Sequence, residues 1–341
     1  MKSFKKPSEF IENARAALPE MHVSLLTAES LRPILHVRGQ FDHKGLFGHA
    51  LLIAGSRGMC GAAILSATAC LKSGIGLLDV LVPSSAYAAV QGAVPEAMVK
   101  RGDDEAAFSG IGSMDLNRYD AIGIGPGLGC GEKQYLGLKR LLETLPSGLP
   151  LVLDADALNL LARCPDLFEK LPPTSILTPH PGEFERLWQA FHPAATIPSD
   201  PMAAAVNRLT RGRCWLNELA ADAQVAHGPA KGRSVYLVLK GAFTTILTPD
   251  GQALVNPTGN PGMATGGSGD VLTGILLSLS AQHYTPQEAC ALGVWLHGLS
   301  GDCALEAGES EESLTATCLT QHLGAAFRRT ANEQTNINVL K

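Results

Sequence analysis

Apolar residues in this chain fall into short unbroken runs, separated by longer stretches in which they recur at helical spacing. Residues 49–56, HALLIAGS, form the clearest run and predict a strand buried on both faces. A helix is predicted over 62–73, stopped by Gly74, then a strand over 77–83, ended by Pro83. Further strands are predicted at 119–125, 151–154 and 175–178. Residues 235–240 and 244–248 predict a late antiparallel pair, closed by the turn Pro249-Asp250-Gly251. Long helices are predicted over 269–282 and 286–306. Doubly apolar strands that alternate with helices predict an α/β fold. Its centre would be a mostly parallel sheet covered by helices on both faces, with antiparallel strands at one edge. Residues 1–26 read as a helical lead-in outside the core, 27–330 as one catalytic domain, and 331–341 as a C-terminal tail. Residues 199–234 are less regular and read as an insertion.

Composition narrows the function. Of 341 residues, 45% are hydrophobic and 17% charged, which supports a large core and argues against disorder. The net charge of −5 and the lack of a basic block argue against a nucleic-acid partner. No apolar run is long enough to span a bilayer. The lysine-bearing N-terminus lacks the apolar segment of a secretory signal and carries three glutamates, so a cytoplasmic location is expected. Eight scattered cysteines, none in a C-x-x-C pair, read as reduced and mostly buried thiols.

The polar residues that carry chemistry cluster where the predicted strands end, which is where open α/β sheets bind ligands. The densest cluster is Asn260-Pro261-Gly262-Met263-Ala264-Thr265-Gly266-Gly267-Ser268-Gly269-Asp270-Val271-Leu272. Glycines there crowd a turn directly before an apolar helix. Backbone amides at such a helix start bind anions, and the glycines let phosphate oxygens approach. Asp270 lies in the first turn. A carboxylate beside a phosphate is repulsive unless it has work to do, such as taking a proton from an attacking hydroxyl. Asp154 and Asp156 either cap the following helix or face a ligand, and His180, between two prolines, is either a solvated loop residue or a ligand contact. P-loop, dinucleotide-fold glycine and H-E-x-x-H motifs are absent.

This segment resembles the signature of the NAD(P)H-hydrate dehydratases, a branch of the ribokinase-like superfamily. Other segments agree, in the same order: Lys44–His49 leading into Gly55–Ala62, then Gly125-Pro126-Gly127-Leu128-Gly129, Asp154–Asn159, Thr178–Phe184 and Leu239–Thr244. By that resemblance Ala62, Gly127, His180 and Asp270 bind the hydrated nicotinamide nucleotide. Lys240, Gly241, Ala242, Phe243, Thr244 and Gly269 bind the adenine nucleotide, ADP or ATP, and the turn that includes Gly266 and Gly267 holds the migrating phosphoryl group.

The activity implied is removal of water from the S epimer of hydrated NADH or NADPH, with Asp270 as general base and Mg²⁺ offsetting phosphate charge. The lack of a transit peptide tilts the expectation toward ADP. A homo-oligomer, a tetramer by resemblance, is also implied. Only about 40 residues precede the first glycine loop, too few for the fused epimerase domain of many members, so a dehydratase alone is expected. The nearest alternative is a kinase of the same fold acting on a vitamin precursor. A second is a nucleotide sensor without catalysis, against which the intact Gly269-Asp270 pair speaks.

Overall fold

The computed structural model describes residues 7–192, 198–225 and 235–332. Ten strands form one sheet: β1 (His22–Leu25), β2 (His49–Ile53), β3 (Leu77–Val82), β4 (Met98–Arg101), β5 (Ala121–Ile124), β6 (Leu151–Leu153), β7 (Ile176–Leu177), β8 (Tyr236–Leu239), β9 (Thr245–Leu247) and β10 (Gln252–Val255). Across the sheet they run β1-β10-β9-β8-β7-β6-β5-β2-β3-β4. Only β9 runs against its neighbours, β8 and β10; every other pairing is parallel. Its two connections are too short for a crossover, so both neighbours must be antiparallel to it.

Eleven helices are described: α1 (Pro7–Ala17), α2 (Ala28–Leu31), α3 (Cys60–Lys72), α4 (Tyr87–Ala93), α5 (Glu132–Thr144), α6 (Ala155–Arg163), α7 (Pro181–Phe191), α8 (Pro201–Val225), α9 (Ser268–Ala281), α10 (Pro286–Glu306) and α11 (Ala316–Ala331). Alternation along the strands divides the core. Leu51, Ile53, Ile122 and Ile124 turn to one face, with residues of α1 and α5–α8. Ala50, Leu52, Leu78 and Val80 turn to the other and pack with α3 and α4. Farther along that second face Val152, Ile176, Val238 and Ile246 meet α9, α10 and α11. The doubly apolar runs thus reflect helices on both sides of a parallel sheet.

Several expectations need correction. Of the expected lead-in 1–26, residues 1–6 lie outside the described residues, and 7–26 do not lie outside the core. Phe10, Ile11, Ala14 and Val23 belong to it, and β1 extends the sheet by pairing with β10. The segment 199–234 carries a 25-residue helix, α8, instead of irregular chain, while 226–234 lie outside the described residues. The turn at 249–251 joins β9 to β10, a strand the sequence reading missed, as it also missed β1 and β4. Of the expected C-terminal tail, 333–341 lie outside the described residues, and Ala331 ends α11. All eight cysteines are unpaired, but only four are buried; Cys214 is exposed.

The topology sets the site. From β2 the chain proceeds outward through β3 and β4, and from β5 it proceeds the opposite way through β6, β7 and β8. The loops after β2 and β5 therefore part over a crevice at the carboxyl ends of the strands. There the Gly55 amide donates to the Pro126 carbonyl at 2.8 Å and the Gly125 amide to Ile53 at 3.2 Å. Among the described residues no helix is long and apolar enough to cross a membrane.

Candidate active site

Strands β2, β5, β6, β7 and β8 end side by side, so their following loops form one rim. The β5 loop folds tightly because Gly125, Gly127 and Gly129 all take positive φ, at 132°, 61° and 84°. A methyl on Gly125 would lie 1.8 Å from the Asp154 carbonyl oxygen, so backbone passes directly over backbone there. At Gly127 a methyl would lie 3.0 Å from the Ala62 Cβ in the first turn of α3. The two residues expected to share the substrate are thus neighbours. Ala62 is partly exposed while Ala63 is fully buried against Gly55.

Across the rim lies a charged cluster. Lys240, at the end of β8, donates from Nζ to Asp154 Oδ1 at 2.6 Å and stands 3.8 Å from Glu183 Oε2. Asp154 is 1% exposed; its other oxygen accepts from Thr273 Oγ1 of α9 at 2.6 Å. Asp154 makes no side-chain capping bond to α6, so the simple cap reading fails for this residue. Asp156 turns to the β5 loop, where Oδ2 accepts from the Gly129 amide at 2.7 Å. Burial works against the Lys240 ammonium, but Asp154 and Glu183 outweigh it and hold its pKa above the ordinary value.

The glycine turn approaches this cluster from the start of α9. Gly267 takes the left-handed conformation at φ 92° and serves as N-cap; a methyl on it would lie 2.5 Å from Leu65 Cδ1 of α3. Two residues on, a methyl at Gly269 would be 3.2 Å from Lys240 Nζ. The lysine thus lies beside the first turn of α9, where the helix dipole presents its positive end. Asp270 follows in the first turn. Burial, and then Asp154, push its carboxyl up to about 7, against the pull of Lys240. A carboxyl at that value accepts a proton near neutral pH far better than an ordinary aspartate.

His180 is the N-cap of α7. Its Nδ1 accepts from the Gly182 and Glu183 amides at 3.0 and 3.3 Å, and the Glu183 carboxylate closes a capping box on the His180 amide at 2.8 Å. Burial, then Lys240 and Arg186, lower its pKa, which agrees with an Nδ1 that carries no proton. The ring stays half exposed beside the cluster, and the Lys240 amide bonds the adjacent Pro179 carbonyl at 3.0 Å. Of the remaining expected nucleotide contacts, Gly241 and Ala242 are exposed, as is Gly266. Thr244 Oγ1 bonds the Gly241 carbonyl at 3.1 Å, and Phe243 sets its ring 5.6 Å from that of Phe10.

Sequence reasoning named Asp154 and Lys240 but missed that they pair, and it missed the roles of Glu183 and Thr273. A signal existed only for Glu183, three residues after His180, the spacing of a capping box. A cavity of about 470 Å³ lies elsewhere, by β3 and β4, lined in part by Tyr87, Lys100, Arg101, Arg118 and Tyr119; it shares no residue with this site.

With this geometry in hand, comparison with known proteins gives the class. Residues 50–324 match the family described as NAD(P)H-hydrate dehydratase, and the chain belongs to that family. Among its relatives is the bifunctional NAD(P)H-hydrate repair enzyme of Moorella thermoacetica, 39% identical over 284 residues, which are 82% of this chain and 49% of that enzyme. The ADP-dependent (S)-NAD(P)H-hydrate dehydratase of Bacillus subtilis is 35% identical over 280 residues, covering 82% of this chain and 88% of the relative. The chain thus spans about half the length of the bifunctional relatives. A crystal structure of the B. subtilis ADP/ATP-dependent enzyme, co-crystallised with ATP and Mg²⁺, superposes with a TM-score of 0.68 at 33% identity, covering 89% of this chain and 97% of that one. A ribokinase-like superfamily protein of Enterococcus faecalis gives 0.71 at 28%, covering 91% and 96%. The fold is ribokinase-like.

Proposed function

We propose that this chain dehydrates the S epimer of hydrated NADH and NADPH, using an adenine nucleotide as phosphoryl donor. The observation that carries the reading is Asp270, a carboxyl held near 7 in the first turn of α9, with the Lys240 ammonium beside the adjoining Gly269.

The chemistry follows from the leaving group. Hydroxide leaves poorly at neutral pH. Asp270 takes the proton of the substrate hydroxyl as its oxygen attacks the terminal phosphorus, and the phosphoryl group passes from ADP to that oxygen, freeing AMP. The ring nitrogen then expels phosphate, and loss of a ring proton restores the dihydropyridine. The amides of Gly267 and Gly269 and the Lys240 ammonium stabilise the charge that spreads over the migrating group. Ala62 and Gly127 form the wall of small residues on the substrate side, with His180 at its edge. Residues Lys240–Thr244 border the nucleotide.

Among the described residues no group of three or more His, Cys, Asp or Glu side chains is disposed to hold a metal. A Mg²⁺ ion fits here as a partner of the nucleotide, taking most of its ligands from phosphate and water. When bound it would neutralise phosphate charge. The name of the B. subtilis relative supports ADP as donor, and its crystal structure was obtained with ATP and Mg²⁺. By the resemblance noted above, the chain works as a homo-oligomer.

The test is direct. Purified protein is given hydrated NADH or NADPH, Mg²⁺ and either ADP or ATP, and restored reduced cofactor and released phosphate are measured. Untouched hydrate with both nucleotides refutes the reading. A phosphorylated product that does not eliminate phosphate would favour a kinase instead.

A further inference from the structure

Helix α10 lies behind the glycine turn and holds it at both ends. At the near end Asp302 accepts from the Gly259 amide at 2.9 Å and from Asn260 Nδ2 at 3.1 Å. Asn260 Oδ1 in turn accepts from the Gly262 amide at 3.1 Å. In the middle Gly301 takes Met263 so closely that a methyl on it would lie 2.6 Å from the sulfur. At the far end His297 Nε2 meets the Ser268 carbonyl at 2.9 Å, and Ser268 Oγ donates back across the turn to the Met263 carbonyl at 2.8 Å.

The last contact bears on the reaction. A carbonyl only accepts, so Nε2 carries the proton. The carbonyl of Ser268 and the amide of Gly269 belong to one planar trans peptide and point in opposite directions. Holding that carbonyl fixes the direction of the Gly269 amide, in a residue where a methyl would lie 3.2 Å from Lys240 Nζ. The next residue is Asp270. Desolvation lowers the His297 imidazole to about 4, so the ring stays a neutral donor through the physiological range.

We infer that His297 is a positioning residue for phosphoryl transfer: its bond to Ser268 sets the plane of the 268–269 peptide and with it the aim of the Gly269 amide and the Asp270 carboxylate. The inference rests on the reaction proposed above. It predicts an effect on the phosphoryl step and on nucleotide phosphate binding, with little effect on hydrate affinity.

Three variants test it. Gln places an amide donor near the position of Nε2, Asn stops short of Ser268, and Leu has no donor. For His297→Leu and His297→Asn, kcat should fall by about 10–100-fold, the usual consequence of a reacting group displaced by an ångström or less. Mg-ADP affinity, read by calorimetry, should weaken in parallel, while KM for the hydrate stays within about threefold of the parent, since uniform substrate binding is untouched. His297→Gln should recover most of both losses and keep the parent pH profile. Parental kcat in the Leu variant overturns the inference. So does a folded Gln variant as impaired as Asn, which would mean that the imidazole itself and not its donor matters. If Leu fails to fold, the Gln–Asn comparison decides. If the parent turns over no hydrate, the reaction is wrong, and the peptide-aiming role is then judged on Mg-ADP affinity alone: equal affinity in the Gln and Asn variants would refute it.

Discussion

Replacing Asp270 by Asn keeps the shape of the side chain but removes one charge and one proton acceptor. In the folded protein burial and Asp154 push this carboxyl from 3.8 to about 7, against Lys240. Two effects of opposite sign follow. As a base the residue is poised near neutrality, and its loss should lower kcat by about 10²–10⁴-fold. As a buried charge it burdens the fold. A carboxyl that titrates near 7 when folded and near 3.8 when unfolded holds its proton more tightly in the fold, by at most about 4 kcal/mol. That stabilising protonation is fully present below 3.8 and is lost as pH rises through 7. Above that range the parent carries the whole penalty, and Asn carries none.

Asp270→Asn should therefore be nearly inactive yet more stable than the parent at about pH 8, with the difference closing toward about pH 4. Nucleotide affinity should hold or rise, because repulsion with the phosphates is relieved. In the parent, kcat/KM should climb through a pKa near 7 and level off above it. The measurements are turnover and thermal unfolding across the pH range, with nucleotide titration of the same preparations. Near-parental turnover would mean that Asp270 only occupies the first turn of α9. Lost turnover without a gain in stability at high pH would refute the buried-charge account.

Lys240→Met strands Asp154 in the interior with Thr273 alone, so it should cost about 3–5 kcal/mol in denaturant unfolding as well as nucleotide affinity; an unchanged midpoint would show that the pair is not a buried one. Gly125→Ala forces a methyl to 1.8 Å from the Asp154 carbonyl at a φ of 132°, and the loss should exceed about 2 kcal/mol. A stable, active alanine variant would contradict the crossing of these loops. His180→Ala removes the N-cap of α7, at about 1 kcal/mol, and should raise KM for the hydrate while nucleotide affinity changes little; the reverse pattern would leave His180 as a cap and nothing more.

What could be read from the sequence depended on whether a signal was local. Strands β2 and β3 declared themselves because both of their faces are buried, which leaves an unbroken apolar run. The start of α10 was legible through Thr285, Pro286 and Glu288, which close a capping box in the structure. Strands at or near the sheet ends were not legible. In β4 only Val99 of MVKR is buried, and β1 and β10 are four residues each, so neither offers a run or an alternation long enough to count. Helix α8 was missed because its alanine-rich first two turns bury no residue fully; core contacts begin at Leu209 and resume at Trp215, Leu216 and Leu219. The same division holds in the site. The glycine turn and Asp270 stand in thirteen consecutive residues, so their chemistry was on view. Lys240 and Asp154 lie 86 residues apart and meet only because β6 and β8 flank β7.

That distant pair explains the behaviour of the local motif. Without Lys240, four carboxylates (Asp154, Asp156, Glu183 and Asp270) would influence one another with no cation bonded to buried Asp154. With Lys240 bound to Asp154, one negative charge is compensated at close range, and Asp270 is left as the group that takes up a proton near neutral pH. An arriving nucleotide adds negative charge at the start of α9. It must strengthen Asp270 as a base and, at the same time, reduce the fraction that is ionised. A cation brought in with the phosphates moves both quantities back. The same balance accounts for a lysine that bonds a buried carboxylate and still lies beside Gly269 at the start of the helix: compensating Asp154 and attracting phosphate are two uses of one charge, and they compete. A stronger Lys240–Asp154 bond would hold the fold better and grip the nucleotide less.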